Sequence, residues 1–262
     1  MAFLHNAKND LRLGMKNHKI WFRLAQNNIL DRYHRSKLGV VWISLTMVIM
    51  VITFGILYGK LFNRELTTHV PYVAIGLAIW IFYSEMIVKG CQVFIVNRRI
   101  IQQIPLALST YLFQHTAREL IILAHHLLVV IGVFIIVSYP ISTSILMAIP
   151  ALVLVILNAF AVVMIVATLS TRYRDLVEVV TAVLRPMMFI TPIIWNVDLV
   201  PARAIYVIYN PLYHLIEIIR APVLGQATPL FSWMFTLGFT FVMVLVAITI
   251  FNKNKDKIVY WL

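Results

Sequence analysis

The spacing of its apolar stretches constrains this chain more than any other feature. Six segments, at about 39–62, 71–96, 117–138, 144–169, 177–195 and 229–251, reach or approach the ~20 apolar residues that a helix needs to cross a bilayer. The third could begin as early as Leu106. Lipid offers no partner to backbone N–H and C=O groups, so segments of this kind span as helices. The expected fold is all-α and membrane-integral, with six transmembrane helices. Composition agrees: 61% of residues are hydrophobic and 12% charged, against roughly 45–50% and ~25% in soluble domains. Those proportions exclude an ordinary soluble enzyme, a disordered chain and a fibrous repeat.

The net charge of +12 is explained by where the basic residues lie. Segment 1–38 carries eight: Lys8, Arg12, Lys16, Lys19, Arg23, Arg32, Arg35 and Lys37. Arg98 and Arg99, then Arg172 and Arg174, then Lys253, Lys255 and Lys257 fall on the same side of the predicted spans, so fifteen of 22 share one face. The positive-inside rule makes that face cytoplasmic and puts both termini there. The charge is therefore a topology signal and a docking surface, and no nucleic-acid partner is expected. Cys91 is the single cysteine, so an intrachain disulfide is impossible. Neither a signal peptide nor a lipidation signature precedes the first span.

Two regions depart from plain spans. Residues 1–38 form a cytoplasmic interface segment, and 39–262 the transmembrane domain. Phe3, Leu4, Ala7, Leu11 and Met15 recur at helical spacing among basic residues, which predicts an amphipathic helix on the lipid surface. Such a helix serves as an orientation signal and anchor, or as a collar for a cytoplasmic partner. Between spans 5 and 6, residues 192–228 are too apolar for a solvated loop, yet are cut by Pro192, Pro201, Pro211 and Pro222. Two short re-entrant helices are expected, at about 201–209 and 211–220. Trp195, Tyr206, Tyr209 and Tyr213 suit a membrane interface. They read as interface anchors or as an outer gate.

Ionisable groups inside spans are costly, so each is a functional candidate. Glu85 and Lys89 are four residues apart and share a helix face, either as a self-neutralised strut or with a functional role. Tyr72, Gly76, Tyr83 and Gly90 fall together on the opposite face of span 2. That small, aromatic face is expected to look into a translocation path, where rings stack on the apolar faces of sugars. Arg185 precedes Pro186 in span 5 and could meet an anionic headgroup. Arg118 and Glu119 are expected to pair or snorkel.

No catalytic site is legible. Gly55-Ile-Leu-Tyr-Gly59-Lys60-Leu61 is one residue short of a phosphate-binding loop, lacks its Ser/Thr and lies within a span. It reads better as a helix-packing patch. HExxH, CxxC and GxSxG are absent, and His125-His126 point about 100° apart. No metal site is expected, and the driving energy must come from a gradient or another subunit.

Four stretches make the chain resemble the permease subunit of ABC-2 type polysaccharide exporters, the O-antigen type above all. They are Asp31-Arg-Tyr-His-Arg-Ser-Lys-Leu-Gly39-Val-Val-Trp42, Arg172-Tyr-Arg174-Asp175-Leu176, Thr191-Pro192-Ile193, and Asn210-Pro211-Leu212 with Glu217 and Arg220. The resemblance covers essentially the whole chain. Met47 departs from it, standing where many relatives carry a proline, which removes the basis for a kink in span 1. The resemblance implies a homodimer in the bacterial inner membrane with two copies of a separate ATP-binding subunit. ATP and Mg would bind that partner, leaving this chain no cofactor and no enzyme activity. It implies export of an undecaprenyl-diphosphate-linked polysaccharide amid membrane lipids. It maps ATPase coupling to the region of Arg98 and Arg99 and to Arg172, Arg174 and Asp175. The outer gate maps to 201–209 and 211–220, with Asn210, Pro211, Glu217 and Arg220. Alternatives are an ABC-2 permease for a smaller lipophilic substrate or a gradient-driven secondary transporter. The latter usually shows internal repeats that are not visible here.

Overall fold

The computed structural model describes residues 7–34, 36–199 and 205–262, without the side chain of Tyr206. The described residues outside loops are helical. Helices α1 (Ala7–Lys16) and α2 (His18–Tyr33) precede the long apolar helices. These are α3 (Val41–Leu61), α4 (Leu66–Gly90), α7 (Ser109–Ile136), α8 (Ala148–Arg172) and α12 (Leu230–Trp261). Short helices fill the connections: α5 (Val93–Val96), α6 (Arg98–Gln103), α9 (Leu176–Ile190), α10 (Ile205–Ile208) and α11 (Pro211–Val223). Five described helices are long and apolar enough to cross a membrane. The chain is a multi-pass membrane protein.

The expected fifth span is shorter than predicted. Helix α9 has 15 residues, about 22 Å at 1.5 Å each, against a hydrocarbon core of ~30 Å. It ends at Ile190 because the Thr191 backbone turns extended before Pro192. The other boundaries move by a few residues, and α4 starts at Leu66 and continues through Pro71. The Arg98–Arg99 connection is itself the helix α6. Of the expected outer helices, 201–209 lies mostly outside the described residues, with only Ile205–Ile208 assigned as helix. The second is α11, capped by Asn210, whose Oδ1 accepts from Leu212 N at 3.0 Å.

Helix α4 is the hub, with 78% of its apolar stretch buried against 22% in α3 and in α12. It packs on α3, α7, α8 and α11, while α8 runs along α12. Small residues allow the close approach: Ala74, Gly76 and Ala78 on α4, and Ala151, Ala159, Ala161 and Ala167 on α8 are buried. Gly55 and Gly59 of α3 meet α4 as a packing patch; a Cβ on Gly59 would lie 2.7 Å from Leu66 Cδ2. On the outside of the bundle, α3, α9 and α12 expose Ile52, Leu57, Val183, Phe189, Leu237 and Phe241. That is the surface expected of helices facing lipid or another apolar partner.

The N-terminal segment is two helices broken at Asn17, and α1 turns one side to the bundle while leaving Met15, on the side expected to meet lipid, open. Ala7, Asp10 and Gly14 face inward, while Met15 is 62% exposed. The reason is Asp10. Its carboxylate accepts from the backbone N–H of Leu108 (3.1 Å) and Ser109 (2.9 Å), capping α7. Ser109 Oγ returns a bond to Asp10 O at 2.7 Å. Gly14 fits because its missing Cβ is the room that Ser109 Oγ occupies.

Candidate functional site in the outer segment and the intramembrane charges

Proline 192 ends the helical ladder, so the backbone after α9 must find hydrogen bonds elsewhere. Thr191, Pro192, Ile193 and Ile194 are nevertheless buried. Non-helical backbone inside an apolar bundle persists only when protein groups satisfy it. Arg220, 1% exposed on α11, provides the main contact: its Nη1 donates to Pro192 O at 2.6 Å. Tyr72 Oη lies 3.3 Å from both Pro192 O and Trp195 O and donates to them. The Arg220 guanidinium sits 3.9 Å over the Tyr72 ring. Its charge is balanced by Glu217, which accepts from Nε at 3.1 Å and Nη2 at 2.5 Å. Gly76 makes room for this cluster, since a Cβ there would lie 3.3 Å from Ile193 O and 3.6 Å from Arg220 Nη1. Asn210 Nδ2 donates to Thr191 Oγ1 at 2.9 Å and ties the start of α11 to the same loop.

The outer motifs read from sequence thus converge on one latch: Thr191-Pro192-Ile193, Asn210-Pro211, Glu217 and Arg220, joined by Tyr72 and Gly76. Trp195 donates from Nε1 to Phe189 O at 2.8 Å, holding the loop against the end of α9. Tyr209 is 68% exposed. Tyr206 was expected in the gate; its side chain lies outside the described residues.

The five residues expected along one path separate in the fold. Tyr72 and Gly76 belong to the latch. Tyr83 is buried deeper, donating to Asn158 Oδ1 at 2.6 Å, and Asn158 Nδ2 donates to Thr240 Oγ1 at 3.1 Å. That chain ties α4, α8 and α12 together within the apolar interior. Asn158 is not among the residues expected from sequence, although it is the one polar side chain between Ala148 and Ala167. Gly90 faces α8, where a Cβ would come within 2.9 Å of Val163 Cγ2. In the single chain the aromatic and glycine face of α4 is therefore turned into the bundle. Helix packing claims it because its small residues admit the closest neighbours. Gly90→Ala should lower stability by about 1–2 kcal/mol through overpacking. Val163→Ala in the same chain should restore most of it, read as thermal unfolding in detergent.

Arg185 stands apart. No residue of α9 is buried, and Arg185 is exposed without a hydrogen bond or ion pair to any described residue. Glu85 and Lys89 do pair, and the pair extends to a second helix. Glu119 of α7, 1% exposed, lies 3.9 Å from Lys89 Nζ and 3.0 Å from Arg118 Nη1. His115 joins α7 to α4 through Met86 O at 2.9 Å. Arg98 and Arg99 are exposed at the start of α6. Arg172, Arg174 and Asp175 are exposed between α8 and α9, with the Arg172 guanidinium over the rings of Tyr173 and Trp261 at 5.3 and 5.5 Å.

Comparison with known proteins gives this arrangement a family. The family profile described as ABC-2 type transporter matches residues 20–224. A protein of Klebsiella pneumoniae named O-antigen export system permease protein RfbA is 25% identical over 238 residues, covering 89% of this chain and 91% of its own. A Myxococcus xanthus protein of the same name is 22% identical over 242 residues, covering 89% and 92%. The Escherichia coli polysialic acid transport protein KpsM is 21% identical over 239 residues, again covering 89% and 92%. The matched profile residues run from α2 through the latch to the loop after α11, and the chain belongs to the ABC-2 type transporter family.

Proposed function

We propose that this chain is the membrane subunit of an ATP-driven exporter that moves a lipid-linked, O-antigen-like polysaccharide out of the bacterial cytoplasm. Two copies surround the path, and two copies of a separate ATP-binding subunit drive it. The observation that carries this reading is Arg185 on α9. A lone cation on an unburied apolar helix costs about 2.5–3.5 kcal/mol at the membrane centre. A wet path lined by α9 from two copies removes that cost and presents the guanidinium to anionic cargo. Helix α9 is also shorter than a bilayer, which suits a helix flanked by protein and water.

The relatives' names support the cargo class, and their coverage extends over nine tenths of this chain. The basic surface supports cytoplasmic termini, with α1 and α2 along the inner leaflet. On that side the exposed Arg98, Arg99, Arg172, Arg174 and Asp175 are available to take the push of the ATPase. On the other side the latch centred on Arg220 holds the outer segment shut between transport events, with Glu85 and Lys89 as a strut below it.

Deletion of the chain tests this reading. Polymer should vanish from the cell surface while its lipid-linked form accumulates on the inner leaflet. The chain should also co-purify with an ATPase. Normal surface polymer with altered sensitivity to lipophilic drugs would instead favour a permease for a small substrate.

A further inference from the structure

Helix α12 is longer than a membrane requires. Its apolar run, residues 230–251, covers about 33 Å at ~1.5 Å per residue, enough to span the ~30 Å hydrocarbon core. The helix then continues without a break through Asn252 and the lysines at 253, 255 and 257 to Trp261. Tyr260 stands about 13 Å past the apolar run, while a headgroup layer is only ~5–8 Å thick. The end of α12 therefore clears the lipid, even at the usual ~20° tilt. It also lies beyond residues 20–224, the part matched by the family profile.

The extension is a fixed post. Ile258 and Leu262 are buried in the core of the bundle. Asn252 Oδ1 accepts from Ala7 N at 3.0 Å and ties the post to the start of α1. Trp261 packs against the core and carries the Arg172 guanidinium 5.5 Å over its ring. Helix α12 also touches α6. It thus bears on both connections read above as taking the push of the ATPase, Arg98–Arg99 on α6 and Arg172–Arg174 at the end of α8.

The outward side of the post has a composition of its own. Lys253, Lys257 and Tyr260 recur at i, i+4 and i+7, share one helical stripe and are all exposed, Tyr260 to 88%. A tyrosine held rigidly beside two like charges suits a protein contact: aromatic rings anchor interfaces, and charges around them steer the approach. A tyrosine also serves at a lipid surface, but this one lies past the headgroups. The lysines call for an acidic partner.

We propose that the end of α12 is a further docking point for the ATP-binding subunit, with Tyr260 filling an apolar recess and Lys253 and Lys257 meeting acidic residues. This rests on the reading of the chain as the membrane subunit of an ATP-driven exporter. Continuity with the corner at Arg172 selects the partner, since a protein that presses on Arg172 and Arg174 also meets the helix end that Trp261 closes.

The test uses the full-length chain in phosphatidylcholine nanodiscs. The probe is the ATP-binding subunit that co-purifies with the chain, stripped from it, repurified and titrated by biolayer interferometry. Saturable binding by the parent is expected. Tyr260→Ala should weaken it by about tenfold or more, through faster dissociation. Lys253→Glu with Lys257→Glu should slow association by about tenfold at low salt, and the difference should shrink as salt rises. All three side chains are exposed, so thermal unfolding of these variants should match the parent, which separates lost docking from lost folding. A thiol reporter locates the contact. Asp256→Cys places it one turn before Tyr260, and the native Cys91 is buried. A saturating amount of the ATP-binding subunit should slow its maleimide labelling about tenfold. No co-purifying ATPase, or no binding by the parent, overturns the exporter reading and this docking point with it. Binding by the parent that the variants match, with labelling unslowed, overturns the docking point alone. Protection by added phosphatidylglycerol without the ATPase makes the occupant a lipid surface. Protection in nanodiscs holding two copies but not one makes it a second copy of the chain. Either outcome also overturns the proposal.

Discussion

Arg220→Ala is expected to destabilise the chain by about 3–5 kcal/mol, the cost of breaking a buried ion pair from one side. Three groups each lose a partner together. Pro192 O loses its 2.6 Å donor, Glu217 is left charged beside an apolar bundle, and the Tyr72 ring loses its cation. Arg220→Lys should recover only a part. A single ammonium cannot reach Pro192 O on one side and Glu217 on the other, as the forked guanidinium does. Replacing both charges, Arg220→Leu with Glu217→Leu, should regain stability, since no buried charge is then orphaned. It should not regain a closed outer segment, because Pro192 O is then left with only the longer bond from Tyr72 Oη at 3.3 Å. Thermal unfolding in detergent reads the first effect, and leakage of a small polar dye through proteoliposomes reads the second. An Arg220→Ala protein within about 1 kcal/mol of the parent would remove the latch from consideration.

Asp10→Ala should cost about 2–3 kcal/mol, since hydrogen bonds to a buried charge are each worth about 1.5–3 and water recovers part of the loss. The two N–H groups that Asp10 caps open the 28-residue helix α7, so the loss falls where α1 docks. The expected result is release of α1 rather than global unfolding, seen as faster trypsin cleavage at Arg12 and Lys16. Gly14→Val should produce the same release by a different route, by filling the space of Ser109 Oγ. Equal cleavage rates in parent and Asp10→Ala would mean that α1 is held by its lipid-facing side instead.

How far the molecule is legible in its sequence differs from element to element. The cores of α3, α7, α8 and α12 are visible as apolar runs, and the kink that a proline at Met47 would bring is absent from an unbroken α3. The start of α11 at Pro211 is visible too, because proline acts on its immediate neighbours, whereas the stop of α9 at Ile190 falls five residues before the expected end of the fifth span. The docking of α1 through Asp10 is not legible in its pattern, since a buried carboxylate reads as polar and outward-facing. A lone acid in a basic helix was the available signal. For α4, periodicity groups Tyr72, Gly76, Tyr83 and Gly90 on one face correctly but says nothing about what that face meets.

The sequence by itself determined that this is a helical, multi-pass membrane chain with its basic residues gathered around one end. Segment length and transfer from water to lipid are properties of each stretch alone. Only the tertiary structure decided that Arg220 serves the backbone 28 residues away, that Asp10 caps a helix 99 residues away, and that the aromatic face of α4 is internal. These follow from which orphaned donors and acceptors come within reach of one another. Hydrogen-bond satisfaction depends on neighbours in space, and the chain's local chemistry does not name them.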